Sequence, residues 1–241
     1  INPGAFVELI LHEVGHSFAL LADEYAGGGP ACNPNVEPAE VNATRQTQRA
    51  MIKWNVWINP ATPIPTTTTT PALPGLYEGS RYCDTGLYRP TYNDKMRNLG
   101  APFEQITREQ HIKRIHAFMS PIDASAPTGN AVTITTAQTQ NFSVTPLVPF
   151  THTLNVNWTV NSQAAGTGAN FSLNGATLPV GQHNVQAIVS DPTVMVRNDP
   201  AQVLRATRSW TVNVQQATTR APFDVDGDAK SDISVFRPTG G

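Results

Sequence analysis

Residues 11–25 read LHEVGHSFALLADEY, and the two histidines four positions apart set the first constraint on any fold of this chain. On an α-helix, positions i and i+4 lie about 40° apart around the axis and one turn up, so both imidazoles can reach one point. The surroundings are helical in spacing. Apolar residues recur at Phe6, Ile10, Val14, Phe18 and Leu21, Asn2-Pro3 offers a capping side chain with proline in the first turn, and Gly27-Gly28-Gly29-Pro30 closes the segment. Two histidines on an apolar helical face are costly to bury without partners.

A shared metal ion removes that cost. His12-Glu13-Val14-Gly15-His16 is an HExxH string, which predicts His12 and His16 as zinc ligands. Glu13, beside the first ligand, is then the base that takes a proton from a metal-bound water and passes it to a leaving amine. A third protein ligand is still needed. The metzincin string HExxHxxGxxH is absent, because Ala19 and Ala22 occupy its glycine and last-ligand positions. Asp23 stands one residue later, only about 20° around the helix from His12 but about 10 Å beyond His16 if the helix runs straight. It can serve as ligand only if the helix ends or bends between Phe18 and Ala22. The alternative is a helix-end carboxylate paired with Arg89 or Arg97, leaving Glu24 or a residue near Met96 to complete the site.

The rest of the chain divides by pattern. Residues 61–75, ATPIPTTTTTPALPG, have the composition of a linker. A second helix is predicted over 107–119, with Thr107-Arg108-Glu109-Gln110 as a capping box and Ile112, Ile115, Phe118 and Met119 on one face. From about residue 130 the period becomes two, in VTITT, HTLNVNWTV, FSLNGATL, HNVQAIVS and RSWTVNV, with Trp158 and Trp210 as core aromatics of a β-sandwich. A formal net charge of −2 argues against electrostatic capture of nucleic acid. No apolar run reaches the roughly 20 residues a membrane span needs. Charged residues are 14% of the chain, a profile that fits a secreted bacterial protein. In an oxidising compartment Cys32 and Cys83 are expected to pair and clip the loops around the cleft. The sequon Asn42-Ala43-Thr44 carries no weight on its own.

HEVGHSFALLADEY closely resembles the active-site segment of the IgA-peptidase (igalysin) family of secreted bacterial metzincin-type zinc metalloendopeptidases. KWNVWI at 53–58, YEGSRYCDTGLYRP at 77–90 and NDKMRNLGAPF at 93–103 agree in order, so the resemblance covers most of residues 1–120. It implies that Met96 is the Met-turn, an apolar floor beneath the metal, and that the 61–75 tract is a loop of the catalytic domain. It makes Tyr88 a candidate hydroxyl donor to the oxyanion. Asp94 stands where the family usually has cysteine, so a disulfide from that position is not expected. Metzincins also carry an upstream sheet that binds substrate in extended form. With Ile1 at one end and Gly240-Gly241 at the other, the chain is expected to be a fragment, weak in zinc and activity by itself.

DVDGDAKSD at 224–232 places Asp224, Asp226, Asp228 and Asp232 at positions 1, 3, 5 and 9 of a calcium loop, with the Lys230 carbonyl at 7. Ala229 and Val235 replace the glycine and glutamate of an EF-hand, and ISVFRP reads as a strand, so the segment resembles the start of an FG-GAP-type repeat. The expected architecture is multidomain: a partial α+β zincin/metzincin-like catalytic domain at 1–122, an all-β Ig-like sandwich at 123–216, and an incomplete calcium-binding repeat at 217–241. The expected function is zinc-dependent hydrolysis of peptide bonds in extracellular proteins. A non-catalytic adhesion protein with a decayed protease domain is the competing class, and the intact Glu13 argues against it. Substrate identity and oligomeric state are not legible.

Overall fold

Alternation of inward apolar and outward polar side chains builds most of this molecule. The computed structural model describes residues 3–30, 32–218, 224 and 230–232, and these are mostly β with two α-helices. The chain divides into two units, Ile1–Pro121 with Asp191–Arg205, and Ile122–Ser190 with Ala206–Gly241.

The second unit is an all-β sandwich of strands β3 (Ile122–Ala126), β4 (Ala131–Thr135), β5 (Thr139–Pro146), β6 (Asn155–Val160), β7 (Gln163–Thr167), β8 (Asn170–Asn174), β9 (Gly181–Ser190) and β10 (Arg205–Gln215). One sheet runs β4-β10-β9-β6-β7 and the other β3-β5-β8. The β10–β4 pair is parallel, with Val212 opposite Val132, whereas β6–β9 is antiparallel, with Trp158 opposite Ala187. On β9 the period-2 pattern buries His183, Val185, Ala187 and Val189. Val185, Ala187 and Val189 meet Phe142, Val144 and Leu173 of the facing sheet in one core. Trp158 and Trp210 stack there at 5.8 Å between centroids. Their indole N–H groups donate to Gly168 O and Pro127 O, so neither ring buries an unpaired donor. Asp226 and Asp228 of the expected calcium loop lie outside the described residues.

The first unit holds helix α1 (Pro3–Ser17), hairpin β1 (Tyr77–Ser80) and β2 (Cys83–Arg89), and helix α2 (Gln105–Phe118). It differs from the sequence reading at both helices. The apolar stripe of α1 does not face a core: Phe6, Ile10 and Val14 are exposed, and the buried residues are His12 and Gly15. The face that carries the histidines is the one that packs.

Helix α2 begins earlier than expected, with Glu104 and not Thr107 at its N-cap. Thr107 donates instead to Asp94 Oδ2 at 2.8 Å, and Glu104 N donates to the same oxygen at 2.7 Å. Asp94 thus caps α2 from outside the helix, a favourable place for a negative charge. The buried side of α2 is Ile106, Thr107 and Glu109, while Ile115, Phe118 and Met119 are exposed.

The 61–75 tract is docked as a loop of this unit, in keeping with the resemblance and not with its linker-like composition. Thr66 N donates to Leu76 O, Gly75 N to Pro90 O, and Ile64 packs on the cluster of Ile52, Trp54, Ile58, Leu76 and Ile106. Among the described residues no helix is long and apolar enough to cross a membrane.

Because Trp210 is fully buried against Trp158 and Phe142, Trp210→Ala should destabilise the sandwich by about 3–5 kcal/mol. Urea unfolding followed by circular dichroism tests this, and a loss below about 1 kcal/mol would show that the site collapses around the deletion.

Candidate metal centre

The helix that carries the histidines stops at Ser17. Leu20 then takes left-handed backbone (φ 57°), and Leu21 N donates back to Gly15 O at 3.0 Å. The chain therefore reverses, and residues 21–24 return alongside the helix. Asn42, fully buried, pins this return: its carboxamide accepts from Ala22 N and donates to Ala22 O and Glu24 Oε1, at 2.8–2.9 Å. With both sides of its amide committed and no exposure, the Asn42 sequon is closed to glycosylation in the folded chain.

The reversal brings three ligand-type atoms together. His12 Nε2 lies 3.1 Å from His16 Nε2 and 3.2 Å from Asp23 Oδ1, and His16 Nε2 lies 3.1 Å from that oxygen. Among the described residues, this is the one group of three or more His, Cys, Asp or Glu side chains close enough to share an ion. Three corners of a tetrahedron around zinc, with bonds of about 2.1 Å, stand about 3.4 Å apart, so the observed triangle is slightly tight but of the right size. The other ring nitrogens are committed to carbonyls, His12 Nδ1 to Lys95 O at 3.0 Å and His16 Nδ1 to Leu21 O at 2.8 Å. A carbonyl accepts only, so each Nδ1 carries a proton, and in the neutral ring each Nε2 offers its lone pair to the centre.

Asp23 is not paired with Arg89 or Arg97. Arg89 donates to the carbonyls of Glu78 and Gly79, and Arg97 to that of Tyr92. The Asp23 Oδ2 atom accepts from the Tyr82 hydroxyl, which in turn accepts from the Tyr25 hydroxyl at 3.2 Å. The hydrogen bond to Asp23, reinforced by the one to Tyr25, raises the Tyr82 phenol well above its ordinary range. Burial raises Tyr25, against the hydrogen bond to Tyr82 and with the Asp23 carboxylate adding to the rise. Glu13 itself is exposed on α1, one residue from His12.

Met96 lies directly beneath the helix and is fully buried. A Cβ built on Gly15 would stand 2.5 Å from its sulfur. The Met96 carbonyl also accepts from Glu24 N, which ties the floor of the site to the returning segment. Tyr88 goes elsewhere: it pairs with Thr44 in an isolated bridge and packs on the Trp54 cluster. The tyrosines at the site, Tyr25 and Tyr82, were not singled out from sequence; the available signal was Tyr82 in the tip of a hairpin flanked by Cys83. That cysteine is joined to Cys32, with Cα atoms 4.9 Å apart.

Comparison with known proteins bears on this region. A family model described as IgA Peptidase M64 matches residues 4–70, the stretch that holds His12, Glu13, His16 and Asp23. That match supports a peptidase relationship at a coarse level over the N-terminal part of the chain. No curated protein matches. Among solved structures, the chain is similar to fibronectin(III)-like modules of Clostridium thermocellum CbhA, at 13% identity over 39% of this chain and 97% of that one, with a TM-score of 0.29. An endo-beta-1,4-mannanase from Thermotoga petrophila is similar at 15% identity over 54% of this chain and 28% of that one, with a TM-score of 0.28.

The close approach of Gly15 and Met96 is testable by a double-mutant cycle. Alanine is the better helix former by about 1 kcal/mol, yet Gly15→Ala should destabilise by about 1–3 kcal/mol because the boxed-in thioether cannot give way. In a Met96→Ala background the same change should be neutral or stabilising. Equal effects in both backgrounds would mean that the two residues are not in contact.

Proposed function

We propose that the first unit is a zincin/metzincin-like catalytic domain, or part of one, and that the chain is a zinc-dependent endopeptidase acting on proteins outside the cell. The observation that carries this reading is the triangle of His12 Nε2, His16 Nε2 and Asp23 Oδ1, with edges of 3.1–3.2 Å and both Nδ1 protons already committed. Neutral imidazoles and a carboxylate are the donor set that zinc takes in catalytic sites, where three protein ligands leave one position open. When bound there, zinc supplies Lewis acidity toward a carbonyl and a water of lowered pKa.

The chain's own residues do the remainder. Glu13 stands on the same helix as both histidines and is open to solvent, so its carboxylate can take a proton from that water and hand it to the departing amine nitrogen. Met96 supplies an apolar floor that keeps water from the underside of the ligands. The Cys32–Cys83 disulfide supports a secreted location, since such bonds persist in oxidising compartments. The sandwich offers spacing or surface attachment. Calcium binding by Asp224, Asp226, Asp228, Lys230 and Asp232 rests on the spacing of those residues in the sequence.

Glu13→Gln should lower casein hydrolysis by about 10²–10⁴-fold while bound zinc stays near one equivalent, because Glu13 moves protons and does not ligate. His16→Ala and Asp23→Ala should lose the metal as well. Metal analysis alongside the assay separates the two classes, and zinc lost from Glu13→Gln would show that its role is misassigned.

A further inference from the structure

The triangle uses one oxygen of Asp23, and the other is held by a side chain with no place in the reaction above. Oδ1 faces both histidine Nε2 atoms, at 3.1 and 3.2 Å, while Oδ2 accepts the Tyr82 hydroxyl. A carboxylate beside zinc can ligate through one oxygen or close through both. Closing through both fills the position that water needs.

We propose that Tyr82 is a positioning residue that holds Asp23 to ligation through Oδ1 alone and so keeps the fourth coordination position open. This rests on the zinc reading of the site. The phenol proton stabilises charge on Oδ2, and Oδ2 must give up that hydrogen bond before it can swing to the ion.

Three observations show that the hydroxyl is built into place. Arg81 and Tyr82 form the tip of the β1–β2 hairpin with φ of 49° and 63°, the left-handed pair of a tight hairpin turn. Such turns favour Gly, Asn or Asp, and a bulky side chain there is strained. The tip is bonded to the backbone of the ligand segment itself: Arg81 N donates to Asp23 O at 2.9 Å, Tyr82 N to Tyr25 O at 3.0 Å, and Gly28 N to Tyr82 O at 2.8 Å. The Tyr25 ring meets the Tyr82 ring edge-on at 5.1 Å, and its hydroxyl donates to that of Tyr82, which leaves the Tyr82 proton for Asp23. Strain kept where a side chain reaches a ligand atom marks a constraint that the turn alone does not need.

The test is cobalt(II) substitution of the full chain in Tyr82→Phe and Tyr82→Asn. Phenylalanine keeps the ring and the strained turn without the hydroxyl. Asparagine relieves the turn and removes both. Each variant should bind cobalt roughly 10–100-fold more weakly. Each should also show weaker visible bands, as four-coordinate cobalt becomes five-coordinate through Oδ2. The metal-free melting temperature should rise in Tyr82→Asn and change little in Tyr82→Phe, so the shared spectral change cannot come from loop stability. Affinity and bands equal to those of the unsubstituted chain in both variants would overturn the proposal. Weaker binding with unchanged bands would overturn it too, since Tyr82 would then only brace the loop. If the unsubstituted chain takes up no cobalt, the zinc reading itself fails and this proposal falls with it.

Discussion

A carboxylate seven residues beyond the second histidine reaches it only if the backbone reverses within a few residues. The first unit is organised around that reversal. The helix ends at Ser17, Leu20 adopts left-handed backbone, and the returning segment is bonded on three sides: to Asn42 through Ala22 and Glu24, to the hairpin tip through Asp23 and Tyr25, and to the Met96 carbonyl through Glu24 N. Remove the reversal and Asp23 stands about 10 Å up a straight helix. The histidines are then left with two unpaired lone pairs. Each of the three supports comes from a separate stretch of chain, so long-range contacts hold the triangle and α1 alone could not.

Directly beneath lies a set of buried ionisable groups that the proposed reaction does not use. Glu24 is fully buried, accepts from Asn42, and is held well above the usual carboxylate range by desolvation, with Asp94 adding to it. Asp94 is also raised by burial, against hydrogen bonds from Met96 N, Glu104 N and Thr107. Arg89 is pulled down to about 10, mainly by desolvation and then by Arg97. Its guanidinium donates to carbonyls at the β1 bulge and lies over the Tyr77 and Tyr92 rings. Buried polar groups are retained only where partners fix them, and here the partners are the backbone of the Met96 turn, the α2 start and the hairpin. This network specifies where the floor of the site sits relative to its walls.

How much of this was legible follows from the range of each signal. The HExxH spacing placed His12 and His16 on one face because i and i+4 geometry is local. Asp23 was legible only conditionally, since its approach depends on a helix stop that no glycine announces: Ala19 and Leu20 stand where a left-handed residue is needed. Period-2 alternation foretold five of the eight sandwich strands and both core tryptophans, because each strand reads its own two faces, but it did not mark β3, β5 or β7. The α1 stripe misled, as periodicity reports an apolar face and not what meets it. The capping box at Thr107 misled for a similar reason. Asp94, ten residues before Glu104 in sequence, satisfies that helix start from a distance. Tyr82 was invisible because its importance comes from a hairpin register that brings residue 82 back to residue 23.

The segment 191–205 carries the same lesson to domain boundaries. By sequence it is a connection between two strands of the sandwich, yet it belongs to the first unit. The buried Glu109 carboxylate on α2 accepts from Trp57 Nε1 and from Arg197 N, and the Arg197 guanidinium lies 4.1 Å over the Trp57 ring. Lys113 donates to Asn198 O, and His116 pairs with Asp191 at 3.1 Å. A cut at residue 122 would take from Glu109 the Arg197 N–H it accepts and from Trp57 the guanidinium that lies over it, and a carboxylate that loses a donor of this kind is destabilised. The α2 helix carries Thr107, which holds Asp94 and with it the Met96 turn under the histidines. The unit that positions the candidate metal centre is therefore not a contiguous stretch of sequence. It is completed by residues that arrive about 70 positions after its last helix ends.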